Sequence, residues 1–460
     1  MKKVFNLTEG NILKKLILVA LPVLLTSIAQ MAYNLTDMFW VGKVDGIGMD
    51  ESAAIAAVGT AGYLPWLAFG FILIAKIGTS VKIGHSVGEN KHHDIDVYAT
   101  NGLSLQLIFG LTFSILILIF QRQFLSIFQI EEQIIIDYAI TYLPIIGGFM
   151  IWQFLVNGFT SINEGLGQTK YNLMILAIGL GLNIVLDPLF ILVFRWGISG
   201  AAIATVLAQF ITLLIFYIFY RLHNPNVKIF HLKDLDLKAI KNILRVGVPV
   251  GIHSLLFTAI SIFIARYVYR FGGDVMSAQR IGSQIEQLSW MIGGGFQTAI
   301  TVFVGQNFGA RKYGRIRKGI FYISLILVPY SILVASLLYF KSEALMKIFV
   351  DDPVVIYNGM RYLRIISLAQ IFMMLEAVGA GLFNGLGKSF VSSANGIVGN
   401  LLRIPLVLML IKTLDELGIW WSLNISDIFK GTILILATIY ILTRLDKLKH
   451  KKLVTQESMV

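Results

Sequence analysis

The stretch Val97–Gln121, VYATNGLSLQLIFGLTFSILILIFQ, passes through 25 residues without one charged side chain. Coiled as an α-helix, it is long enough to cross the ~30 Å hydrocarbon layer of a bilayer. Seven other windows are equally free of charge: Leu16–Thr36, Ser52–Ala75, Tyr138–Asn163, Trp196–Tyr220, Val246–Ala265, Gln287–Ala310 and Gly319–Phe340. Each is near or above the roughly 20 residues that a membrane-crossing helix needs. The remaining composition agrees, with 56% hydrophobic and only 14% charged residues among 460, where soluble domains carry about 25% charged. A water-soluble globular protein is excluded.

Allowing single polar residues within apolar stretches, the sequence predicts twelve spans near residues 12–40, 53–81, 97–121, 138–162, 171–194, 199–221, 240–270, 274–306, 318–340, 357–384, 389–412 and 420–443. The fold class is therefore all-α and polytopic. With the amino terminus inside, the inner connections and tails hold 24 Lys and Arg residues and the outer loops seven. That asymmetry predicts cytoplasmic placement of both termini in an inner (plasma) membrane. The net charge of +12 then finds its partner in the anionic inner leaflet rather than in nucleic acid. The absence of cysteine removes disulfides, thiolate metal sites and cysteine nucleophiles. Met1-Lys2-Lys3 leads into an apolar segment with no small-residue cleavage site, so no removable signal peptide is expected.

The longest hydrophilic connection divides the chain into residues 1–221, a linker 222–239, residues 240–443 and a basic tail 444–460. The two large parts resemble each other. Ala20-Leu21-Pro22-Val23 returns as Gly247-Val248-Pro249-Val250, Glu164-Gly165-Leu166-Gly167 as Asn384-Gly385-Leu386-Gly387, and Gly84-His85-Ser86-Val87-Gly88 as Gly305-Gln306-Asn307-Phe308-Gly309. With six spans each, both halves enter the bilayer from the same side. The prediction is two six-helix bundles related by a pseudo-twofold axis along the membrane normal, an architecture of transporters.

Ionisable groups within spans are costly, so each needs a partner, a wet cavity or a function. Asp37 follows Asn34 and Thr36 in the outer part of the first span, past Pro22, and reads either as an interfacial acid or as a cation ligand. Asp187 lies deep in the fifth span with Asn183 one turn earlier on the same face. Pro188 removes a backbone donor there and frees a carbonyl. An acid, an amide and a freed carbonyl suit a proton or a sodium ion; the alternative is an acid capping a proline kink. Glu286 reads as cavity lining or as the ion-pair partner of Arg280. Glu376 is a cavity acid or the partner of a basic neighbour. By the repeat, Arg403 takes the place of Asn183 and is expected to pair with Glu376 or another acid. Lys76 is expected to snorkel towards the inner headgroups, Asp427 and Lys430 to neutralise each other at i,i+3, and His253 to be hydrogen-bonded. The group His85, His92, His93 and Asp94 sits in a basic loop and reads as solvated rather than as a metal site. Walker, Gly-x-Ser-x-Gly and His-Glu-x-x-His motifs are absent from the sequence, which leaves an ATP-driven pump or a hydrolase without support.

In this setting the sequence resembles the multidrug and toxic compound extrusion (MATE) family of cation-coupled antiporters, within the superfamily that also holds oligosaccharidyl-lipid and polysaccharide exporters. The likeness is carried by Leu21-Pro22 with Asp37-Met38-Phe39-Trp40-Val41-Gly42, by the Gly84–Gly88 turn and its copy Val304–Ala310, and by Gly165-Leu166-Gly167-Gln168-Thr169. It continues through Asn183-Ile184-Val185-Leu186-Asp187-Pro188, Gly200–Thr205 and Arg403-Ile404-Pro405. The resemblance implies an alternating-access transporter with a cation site at Asp37, Asn183, Asp187 and Thr205, joined by Asn157, and a first helix that bends near Pro22 when the site changes protonation. Coupling acids in the second half, for which Glu286 and Glu376 are the candidates, occur in some branches. The expected activity is export of amphipathic, often cationic, compounds by a monomer driven by H+ or Na+, with no cofactor beyond that ion and no enzymatic step. The alternative within the superfamily is a lipid-linked oligosaccharide flippase; an ion channel or a membrane scaffold fits the two-bundle repeat less well.

Overall fold

The computed structural model describes residues 6–41, 43, 44, 48–126, 132–223 and 234–445. Lys2, Lys3, Gly42, most of the hydrophilic linker and the basic tail from 446 onward lie outside the described residues, as does the side chain of Asn34. The described chain forms sixteen α-helices. The first nine are α1 (Ile12–Val41), α2 (Glu51–Ala61), α3 (Tyr63–Gly88), α4 (His92–Ser126), α5 (Gln133–Gly148), α6 (Ile151–Gly165), α7 (Thr169–Pro188), α8 (Gly197–His223) and α9 (Leu237–Val268). They are followed by α10 (Gly273–Gly309), α11 (Tyr313–Phe340), α12 (Ser342–Met346), α13 (Pro353–Ser367), α14 (Gln370–Gly385), α15 (Ser389–Leu414) and α16 (Glu416–Arg444).

Among the described residues, ten helices are long and apolar enough to span a membrane, and counting each of two bent pairs as one span gives twelve. The bent pairs correct the sequence expectation of single helices at 138–162 and 357–384. Helices α5 and α6 meet at 40°, and α13 and α14 at 50°. The first bend follows the Gly147-Gly148 pair, where Phe149 leaves helical geometry at φ −103°, ψ 14°, and such glycine pairs are a recognised cause of kinks.

Two compact units result. One contains Leu21–Gly251, and the other contains Leu7–Ala20 with Ile252–Val460. In the first, α3 packs on α4 and α6, α4 on α5 and α6, and α7 on α8; in the second, α10 packs on α14, α13 and α11, and α15 on α16. The start of α9 belongs to the first unit. Its Ile243 is fully buried with Ala75 and Leu105, and a Cβ on Gly247 would collide with the Ile74 carbonyl.

The Gly-Leu-Gly repeat now has a physical reason. Gly165 lies so close to α3 that a Cβ would stand 2.8 Å from the Ser80 carbonyl, and Gly385 so close to α10 that a Cβ would stand 2.6 Å from the Thr301 carbonyl. The second glycine of each copy, Gly167 and Gly387, adopts φ +74° and +71°, the left-handed conformation that closes a helix C-terminus. The chain then returns through Gln168 N to Asn163 O at 2.7 Å and Lys388 N to Phe383 O at 2.8 Å. Gly385→Ala is expected to destabilise the protein by about 1–3 kcal/mol through overpacking against backbone. Thermal unfolding in detergent measures this, with Gly294→Ala, where a Cβ meets nothing within 4 Å, as the neutral comparison.

Candidate functional site

The polar interior of the first unit centres on α7. Asn183 and Asp187, one turn apart, are both fully buried, and Asn183 Nδ2 donates to Asp187 Oδ1 at 2.9 Å. Pro188, lacking an N–H, cannot serve the Ile184 carbonyl. The helix continues as a single π-helical turn, Leu189–Val193, a distortion common at functional positions. From α1, Asp37 reaches the same place, and its carboxyl is within hydrogen-bonding reach of that of Asp187. Two carboxylates cannot hydrogen-bond without a proton between them, so this approach calls for a proton or another cation.

Three oxygens of this cluster, Asp37 Oδ1, Asn183 Oδ1 and Asp187 Oδ2, are buried and find no hydrogen-bond partner among the described residues. Buried polar atoms are rarely left so, and oxygen donors in this number suit a hard cation or a proton. Val41, Ile146, Ile191, Ala201 and Ala202 belong to one buried apolar cluster of the same unit. Tyr142 of α5, fully enclosed, stands in the electrostatic field of both acids. Sequence reading missed it, because a tyrosine on an apolar helix carries no local signal of such neighbours.

The other residues expected at this site fall differently. Thr205 is buried on α8. Asn157 turns its amide back to the Gln153 carbonyl at 2.9 Å on its own helix. Pro22 sits inside an unbroken α1, and its carbonyl accepts from Thr26 Oγ1 at 2.8 Å. Lys76 does not snorkel: its Nζ lies 3.2 Å from Glu164, joining α3 to α6.

In the second unit the acids are already answered. Arg403 Nη2 reaches Asp427 Oδ1 at 2.7 Å, and Lys430 Nζ reaches the same oxygen at 2.8 Å. Lys430 also lies 3.6 Å from Glu376, and Asn400 holds the His253 ring at 3.3 Å. Glu286 departs from its expected pairing, since Arg280 is exposed. Its carboxylate instead accepts from Trp290 Nε1 at 3.1 Å, from the Tyr362 hydroxyl at 3.1 Å and from Gln370 Nε2 at 3.5 Å. Gln370 is oriented for this by Ser289, whose hydroxyl donates to its Oε1 at 2.8 Å. These are neutral donors on three helices, a caged carboxylate rather than an ion pair.

A twelve-span helical membrane protein with two units and a buried acid pair is a transporter architecture. The MatE family model matches residues 22–189 and 249–409, so each half of the chain carries one copy, and the chain belongs to the MatE family. Among curated proteins, it is 26% identical over 441 residues to the probable multidrug resistance protein NorM of Thermotoga maritima, with 93% of this chain and 92% of that protein covered. It is 25% identical to the probable multidrug resistance protein YpnP of Bacillus subtilis, with 99% of this chain and all of that protein covered. Among solved structures, a MATE protein in a bent conformation matches with TM-score 0.89 at 22% identity, over 97% of this chain and 98% of that one. An outward-facing multidrug resistance MATE transporter of the MOP superfamily matches with TM-score 0.86 at 23% identity, over 96% of this chain and 98% of that one. These two likenesses concern the fold.

Proposed function

We propose that this protein is an antiporter that exports amphipathic, often cationic, compounds against an inward flow of H+ or Na+ by alternating access. The observation that carries the coupling is the Asp37–Asp187 contact with its three buried oxygens lacking a partner among the described residues. The ion binds at Asp37, Asn183 and Asp187, with Thr205 of α8 as the further ligand that the family resemblance implies, and needs no further cofactor. Binding neutralises the acids and so lowers the cost of one conformation, while the exported compound favours the other. The names of the related proteins support multidrug substrates. The excess of basic residues in the inner connections supports an inner-membrane protein with cytoplasmic termini, working as a monomer.

A lipid-linked oligosaccharide flippase is less well supported. Such a protein needs free cations for a lipid phosphate, whereas Lys76, Arg403 and Lys430 each stand against an acid. The deciding experiment uses the purified protein in vesicles, loaded with a fluorescent organic cation and given a pH gradient or a sodium gradient separately. Efflux driven by one of them is the expected result. Efflux indifferent to both overturns the coupling.

A further inference from the structure

A cavity of about 370 Å³ opens where the amino-terminal segment meets the start of α11, and its walls lie wholly within the second unit. That volume is in the range of small-molecule sites. Gly10, Asn11, Ile12 and Leu13 line one side, and Arg315, Lys318 and Tyr322 the other. None of these residues belongs to the acid cluster of the first unit.

The first wall is fixed by contacts with the end of α10 and with Arg315. Leu7 N donates to Gln306 Oε1 at 3.0 Å, and Leu7 O accepts from Asn307 Nδ2 at 3.3 Å and Arg315 Nη2 at 3.1 Å. Gly10 O accepts from Arg315 Nη1 at 2.9 Å. Gly10 takes φ +75°, and the chain turns into α1. Lys15 N makes the first helical bond, to Asn11 O at 3.2 Å, and Asn11 Oδ1 caps Lys14 N at 2.9 Å. The N–H groups of Ile12 and Leu13, on the cavity wall, precede that ladder and have no acceptor within the helix.

The second wall supplies cations. Arg315 uses three N–H groups, on Leu7 O, Gly10 O and Asn307 Oδ1, and a guanidinium has five. Lys318, one turn further along α11, is exposed and pairs with no acid among the described residues. The stretches 7–18 and 311–322 together carry seven Lys and Arg against one acid, Glu9, and Glu9 already lies 3.7 Å from Lys312. Beyond the charges the surface turns apolar. Ile17, one turn after Leu13, is 40% exposed, and Phe321 and Leu325, flanking Tyr322 on α11, are 63% and 62% exposed. We propose that this cavity binds the headgroup of an anionic phospholipid. Lys318 and the spare donors of Arg315 meet the phosphodiester, the N–H groups of Ile12 and Leu13 add the positive end of a helix, and the acyl chains lie along Ile17, Phe321 and Leu325. Basic pockets between spans are the usual seat of such headgroups. A free phosphate would use the donors and leave the apolar wall uncovered. The site is independent of the ion coupling proposed above.

The test titrates the full chain, purified in detergent, with phosphatidylglycerol and separately with phosphatidylcholine, and counts bound lipids by native mass spectrometry. Phosphatidylglycerol is expected to bind the more tightly. Lys318→Glu is expected to weaken it at least about fivefold, the effect of one surface cation on an anionic lipid. Lys412→Glu, the same charge change at an exposed lysine near the end of α15, should leave it unchanged. Lys318→Glu should unfold at the wild-type temperature without lipid and lose the rise in that temperature that phosphatidylglycerol gives the wild type. Lys318→Gln, the milder change, should shift both readouts in the same direction. Equal binding of the two lipids, or no greater loss in Lys318→Glu than in Lys412→Glu, overturns the site. Displacement of phosphatidylglycerol by millimolar inorganic phosphate alone would make it a site for free phosphate and overturn the lipid.

Discussion

Asp187→Asn is expected to reduce gradient-driven efflux at least about tenfold, the effect of losing roughly 1.4 kcal/mol of ion-dependent bias between conformations, while membrane abundance stays near wild type. Asparagine matches the shape of the protonated acid but binds no proton, so the gradient loses its means of changing the charge of the cluster. The amide can still meet Asn183, which now donates to Asp187 Oδ1 at 2.9 Å, and the fold should tolerate the change. Asp37→Asn should act alike because the two carboxyls share one contact. Asn157→Ala is expected to leave most activity, since that amide is occupied by its own helix. Dye efflux from vesicles under the effective gradient measures all three. Undiminished efflux in both acid variants would remove these residues from the coupling site.

Asp427→Asn is expected to have the largest effect on stability. Its Oδ1 accepts from both Arg403 and Lys430, so its loss takes from two enclosed cations the carboxylate they share, while Lys430 keeps Glu376 at 3.6 Å. Removing one partner of a buried ion pair costs about 3–5 kcal/mol, which should appear as a marked fall in the unfolding temperature in detergent and in membrane abundance. Lys430→Met should cost less, because Asp427 keeps Arg403. The site is built for that lysine, since a Cβ on Gly399 would collide with Lys430 Cγ. Equal stability of Asp427→Asn and wild type would show that the network is not structural.

The contrast between the two units was partly readable beforehand. The repeat placed Arg403 where the first half has Asn183, and helical spacing brought Asn183 to Asp187 and Asp427 to Lys430, because i,i+3 and i,i+4 neighbours are fixed by the helix alone. The partner of Glu286 was not readable in this way. Arg280 is close in sequence, but the groups that reach the carboxylate from α13 and α14 are Tyr362 and Gln370. Lys76 likewise had a local expectation, snorkelling, that lost to an acid on a neighbouring helix. Inside a low-dielectric interior a nearby counter-charge outweighs the reach to headgroups.

By itself the sequence determined the membrane, the number of spans, the twofold repetition and the pairs set by helical period, since these follow from where charge is scarce and from local geometry. Only the tertiary structure decided that Tyr142 is enclosed within the field of Asp37 and Asp187, that Glu286 is caged by neutral donors, and that Leu7–Gly10 is held at the end of α10. Each of these joins residues from different elements. Hydropathy records how deep a helix lies, but not which of its faces meets which neighbour.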